Sequence, residues 1–106
     1  MLDNRLTYIG KYVAYDREDI TVDNTVGGVG LTSSKLETIP RPIRLIITVE
    51  SAQIRYTYDG TAPTSTLGHL VNAQDVLIVE GLSNMKNFKA IRTTANNGKL
   101  VVTYER

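Results

Sequence analysis

The sequence predicts an all-β fold: a single antiparallel β-sandwich or jelly-roll-like domain of seven or eight short strands spanning residues 1–106. Three observations predict it. Thr is the commonest residue, followed by Leu, Val and Ile, while Ala is scarce, a composition suited to pleated, half-buried segments. Short β-rich runs recur at roughly ten-residue spacing between breaks made of Gly, Pro, Asn and Asp. No segment of ordinary helix length carries a 3.6-residue apolar period.

Taken in order, the first run is Leu6 to Tyr15, apolar on both parities and so expected to be covered on both sides. Asp16-Arg17-Glu18-Asp19 reads as a charged turn, Ile20-Thr21-Val22 alternates again, and Gly27-Gly28-Val29-Gly30 marks a bulge or tight return. Residues 32–42 read as a loop ending at Pro40 and Pro42, neither of which can donate to a ladder. The clearest strand is Ile43 to Glu50, with Ile43, Leu45, Ile47 and Val49 on one face. Ser51-Ala52-Gln53 then predicts a hairpin into Ile54–Tyr58, whose Ile54, Tyr56 and Tyr58 are assigned inward. Gly60 to Gly68 is a long Thr-rich loop that no core pattern explains, the kind of segment that carries contacts. His69–Val71 and Val76–Glu80 predict a further pair, and Leu82 to Lys86 one helical turn. Phe88 to Thr94 and Lys99 to Glu105 complete the set, joined by the turn Asn96-Asn97-Gly98.

At 106 residues the chain holds one small core, which excludes two-domain and nucleotide-fold enzymes. Twelve Lys and Arg against 11 Asp and Glu give a net charge of +1, too weak a field for a polyanion binder. The absence of Cys removes disulfides and thiolate metal sites. With 42% hydrophobic and 22% charged residues the chain has the composition of a folded domain. Met1 to Arg5 is followed by no apolar h-region, and no apolar run is long enough for a bilayer, so neither a secretory signal nor a membrane span is expected.

Catalytic constellations are missing from the pattern. His69 is the one histidine, there is no Gly-x-Ser-x-Gly elbow, and the carboxylates fall into no paired acid–base motif, so no enzyme and no cofactor are expected. Asp16, Glu18, Asp19 and Asp23 are clustered, yet they lack the spacing of a calcium loop and Arg17 sits among them. The glycines of Thr25–Leu31 match no phosphate-loop spacing. Lys86, Lys89 and Arg92 around Phe88 are too few for a nucleic-acid face. The tyrosines at 8, 12, 15, 56, 58 and 104 are read as core residues with hydroxyls at the rim.

The stretch Ile54-Arg55-Tyr56-Thr57-Tyr58-Asp59-Gly60-Thr61-Ala62-Pro63-Thr64 resembles the Tyr-Thr-x-Asp-Gly-Thr-x-Pro-Thr motif of the β-sandwich modules at the C-termini of chitobiases and hexosaminidases. It is a structural signature: a strand ending in a turn capped by Asp59 and stiffened by Pro63. A broader likeness runs through Val29–Thr32, Arg55–Leu70 and Asn87–Arg92, which together look like small proteins encoded among the virion genes of tailed bacteriophages. That resemblance implies a virion structural protein, foremost a head decoration or cement protein on the capsid surface, made in the bacterial host cytoplasm. Its expected partners are the major capsid protein and further copies of itself, as a dimer or trimer, with no nucleic acid and no membrane. A tail or head-completion part, and a carbohydrate-binding module using Tyr56, Tyr58 or Tyr104, stand as alternatives. Under the first reading the expected contacts are an N-terminal arm over residues 1–5, namely Leu2, Asp3, Asn4 and Arg5, and the loop residues Thr61, Pro63, Thr64, Thr66 and His69.

Overall fold

The computed structural model describes residues 12–106. Its elements in chain order are β1 (Ala14–Val22), β2 (Val29–Gly30), α1 (Ser33–Glu37), β3 (Arg44–Glu50), β4 (Ile54–Thr57), β5 (His69–Val71), β6 (Val76–Glu80), α2 (Leu82–Asn87), β7 (Lys89–Arg92) and β8 (Gly98–Glu105). The strands form two four-stranded antiparallel sheets, ordered β1-β8-β3-β6 and β2-β7-β4-β5. The all-β sandwich read from the alternation is therefore the fold.

Its wiring differs from the predicted one. β3 and β4 do not form a hairpin, because β3 pairs with β6 and β8 while β4 pairs with β5 and β7. β5 and β6 likewise belong to different sheets, as do β7 and β8 across the Asn96-Asn97-Gly98 turn. Each of these connections is an arch that carries the chain from one layer to the other. Among consecutive strands only β4 and β5 are hydrogen-bonded neighbours, joined by the long loop 58–68.

Inward-facing residues of both sheets make the core: Val22, Leu45, Ile47, Val49, Leu100, Val102 and Tyr104 from one, Ile54, Val71 and Ala90 from the other. Met85 of α2, Phe88 immediately after it and Leu36 of α1 also belong to the core. The two short helices are tied by an ion pair, Lys86 Nζ to Glu37 Oε2 at 3.1 Å. The layers are in close contact at Gly98, where a Cβ would lie 2.6 Å from Ile54 Cγ2 and 3.2 Å from the Ala52 carbonyl oxygen. Only glycine fits that point without displacing its neighbours.

Two local expectations are overturned. Asp16–Asp19 is not a turn but the middle of β1, which pairs with β8 from Ala14 to Val22 with a register shift between Ala14 and Asp16. An edge strand tolerates charge because water reaches one side of it, and here each carboxylate also has a partner. Residues 32–42 are not all loop, since α1 lies within them and buries Leu36. Of the run Leu6–Tyr15, residues 6–11 lie outside the described residues, and only Ala14 and Tyr15 belong to β1.

Glu18 projects to the inner side of β1 and shows how its charge is accommodated. Its carboxylate accepts from the Tyr104 hydroxyl, from Thr32 Oγ1 at 2.6 Å and from the Thr32 N–H at 3.2 Å. Tyr104 is fully buried on β8, so this one carboxylate joins the edge strand, the central strand and the entry to α1. On the outer side Arg44, also buried, pairs with Glu105 at 2.7 Å and lies under the Tyr12 ring at 3.8 Å.

Candidate functional site

The loop after β4 is a built structure. β4 ends at Thr57, whose hydroxyl donates to the Thr61 carbonyl, and Asp59 Oδ1 accepts the Thr61 N–H at 3.0 Å to close the Asp59-Gly60 bend. These contacts to Thr61 hold the Asp59 carboxyl below the usual range. Thr64 and Leu67 exchange backbone hydrogen bonds at 3.0 and 3.3 Å, and Thr64 Oγ1 accepts from the Leu67 and Thr66 N–H groups at 2.9 and 3.2 Å. From the outer face of β4, Arg55 clamps the returning chain, donating from Nε to the Ser65 carbonyl at 3.0 Å and from Nη1 to the Gly68 carbonyl at 2.8 Å.

Beside this loop a stack of rings runs from the core to the surface. Phe88 is buried, Tyr56 lies against it with ring centres 5.5 Å apart, and Tyr58 follows at 6.1 Å, both at 28° between planes. His69, opposite Tyr56 in the β4–β5 register, approaches Tyr56 at 5.2 Å and Tyr58 at 6.0 Å. Burial, with the neighbouring Tyr58 hydroxyl, pushes the Tyr56 phenol up from its ordinary value. Tyr58 is 42% exposed and Leu67 48% exposed, so the stack ends in an uncovered aromatic ledge.

An open trough of about 520 Å³ lies on one side of the ledge, lined by Thr57, Tyr58, Asp59, Thr61, Leu67 and His69. A narrower cleft of about 110 Å³ lies on the other, between Tyr56, Tyr58, Ile78, Glu80 and Asn84. The ledge thus combines apolar rings with the carboxylates of Asp59 and Glu80, a mixture suited to recognition.

The predicted contacts fare differently. Thr61, Thr64, Thr66 and His69 are exposed around this loop. Pro63 is not: it is fully buried and packs toward Gly28, where an added Cβ would come within 2.9 Å of its ring, so it anchors the loop from beneath. Leu2, Asp3, Asn4 and Arg5, and with them the arm over residues 1–5, lie outside the described residues. The alternation that would turn Tyr58 inward ends with β4 at Thr57, and Tyr58 stands exposed. Tyr104 has no exposed surface and cannot stack on a ligand. Arg55 carries no motif that would have marked it as the loop's clamp.

The acidic cluster is dispersed into separate pairings: Asp16 with Lys35 at 2.8 Å, Asp19 with Arg17 at 2.6 Å, Asp23 with the Thr25 N–H at 2.9 Å and its hydroxyl at 2.5 Å. Among the described residues no three His, Asp or Glu side chains converge as a metal site would require. Gly28 closes a tight turn onto the Thr25 carbonyl at 2.9 Å, and Arg92 donates to Asn97 Oδ1 at 2.6 Å. No helix among the described residues is long and apolar enough to cross a membrane.

No family model matches the chain, and no curated protein or solved structure matches it.

Proposed function

We propose that this chain is a non-enzymatic structural protein of a tailed-bacteriophage virion, a head decoration or cement protein that binds the major capsid protein on the shell surface. The observation that carries the reading is the loop 58–68 with its aromatic ledge, held in shape by Arg55, Asp59 and Thr64 before any partner arrives. A preformed loop loses little conformational entropy on docking, and an exposed tyrosine beside a leucine is a common source of interface energy. A protein that binds only the assembled lattice stabilises that lattice by mass action. A tail or head-completion part would use the same surface against a different ring of subunits.

Quantitative mass spectrometry of purified particles, scaled to the major coat protein, tests the placement. Hundreds of copies support a shell role, a handful place the chain in the tail or neck, and absence overturns both. Tyr58→Ala is expected to weaken binding to undecorated shells by roughly 30-fold or more, as loss of an aromatic anchor does, with unchanged circular dichroism. Unaltered binding would remove the ledge from the interface.

A carbohydrate-binding role is the second reading, favoured by the exposed Tyr58 ring facing a trough that also presents Asp59 and Thr61. Titration with a glycan panel would shift the Tyr58 and His69 ring resonances if it holds. Unmoved resonances would exclude it.

A further inference from the structure

Among the described residues β6 is an edge strand, and its hydrogen-bonding pattern shows which groups they leave open. Val49 donates to the Asp75 carbonyl at 2.9 Å and Gly81 donates to the Ile43 carbonyl at 3.3 Å. With β3 and β6 in the register Leu45 to Val79 and Ile47 to Leu77, those two bonds make the odd-numbered residues of β6 the ones that face β3. The main-chain groups of Val76 and Ile78 therefore point to the free edge. Their side chains are each 59% exposed on the outer face of the sheet, beside the half-buried Ile46 and Thr48 opposite them on β3.

Native sheet edges are normally shortened, charged, kinked or covered. The other three edges formed by the described residues follow that rule. β1 carries Asp16, Arg17, Glu18 and Asp19 and a register shift, β2 has two residues and β5 three. β6 has five residues, reads Val-Leu-Ile-Val-Glu, and contains no lysine, proline or bulge.

From this contrast we infer that β6 is a dimerisation edge, pairing antiparallel with β6 of a second copy of this chain about a twofold axis at Leu77. In that register Val76 of one copy faces Ile78 of the other on both sides of the axis. Each contributes its N–H and its carbonyl, and the two apolar strips fuse into one outer-face patch with Ile46 at its flanks. Glu80 then meets Gln74 of the other copy, so no carboxylates are opposed. The chemistry is self-complementary, as a twofold interface requires. Ile78 also lines the cleft below Tyr58, so the dimer carries two ledges near its axis, available for two-point attachment to a repeating surface. The inference deepens the expectation of a homo-oligomer and needs no virion, because it is measured on the isolated chain.

Sedimentation equilibrium over a concentration series, combined with residue-resolved amide exchange, tests it. The wild type is expected at the mass of two chains, with the Val76 and Ile78 amides protected. Ile78→Lys is expected at the mass of one chain, with those two amides exchanging freely while Leu77 and Val79, bonded to β3, stay protected. Leu70→Lys, at an exposed apolar position on β5 (49% against 59% for Ile78), should leave both readouts unchanged. A monomeric wild type overturns the proposal, whether its edge amides exchange freely or are covered from within the chain. A trimer, or a dimer whose Val76 and Ile78 amides exchange freely, overturns it too. Should Ile78→Lys fail to fold, the wild-type mass and exchange pattern decide alone.

Discussion

Tyr104→Phe is expected to lower the unfolding free energy by about 1.5–3 kcal/mol near neutral pH, since it removes one hydrogen bond to a carboxylate and leaves the ring in place. The side chain is fully buried, and its hydroxyl is what connects β8 to Glu18. Burial first, and the bond to Glu18 second, push the Tyr104 phenol far above its ordinary value. A group whose folded value is raised stabilises fully below its unfolded value and loses that contribution as pH rises beyond it, here above about pH 10. The wild type should therefore lose stability in alkali more steeply than Tyr104→Phe, and the gap between them should narrow. Tyr15 and Tyr56, also pushed upward, act in both proteins and cancel from the difference. Urea unfolding at neutral and strongly alkaline pH measures it. A gap that stays constant across that range would disprove the assignment of the alkaline loss to this hydroxyl.

The second large effect is expected at Gly68. Its φ of +124° is one that L side chains rarely adopt, and a Cβ there would sit 2.9 Å from the Tyr56 carbonyl oxygen. Gly68→Ala combines backbone strain with overpacking, for a loss of about 3 kcal/mol or more. The damage should be local in its readout, because Gly68 is where Arg55 holds the returning loop. The ring resonances of Tyr58 and His69 should move more than those of residues in β1 or β8. Gly60→Ala provides the comparison: its φ is also positive, but an added methyl meets nothing within 4 Å, so a smaller loss is expected. Equal losses at the two glycines would show that contact with Tyr56 does not matter.

What the sequence made legible was the strands, because period-2 alternation in Ile43–Glu50 and Lys99–Glu105 reports which side chains are covered. It did not reveal what each strand pairs with. Leu45, Ile47 and Val49 look the same whether the next strand lies beside them or across the core, and Ser51-Ala52-Gln53 is short enough for either route. The charges of Asp16–Asp19 misled for a related reason, since Glu18 is matched by Tyr104 and Thr32 from distant parts of the chain. In the candidate site, the Asp59-Gly60 bend was readable from its residue types. The burial of Pro63 was not, because it depends on Gly28, which reaches it from another strand connection.

The wiring also bears on how the protein is made. β8 lies between β1 and β3, and β7 lies between β2 and β4, so the last two strands of this sandwich to leave the ribosome are central strands of the two sheets. Until they emerge, β1 and β2 lack the strands they pair with among the described residues, and β3 and β4 lack a partner on one side; isolated strand pairs of this kind are marginal in water. Completion of both sheets is thereby deferred until β7 and β8 have been synthesised, and a chain cut short before them is left as substrate for proteases.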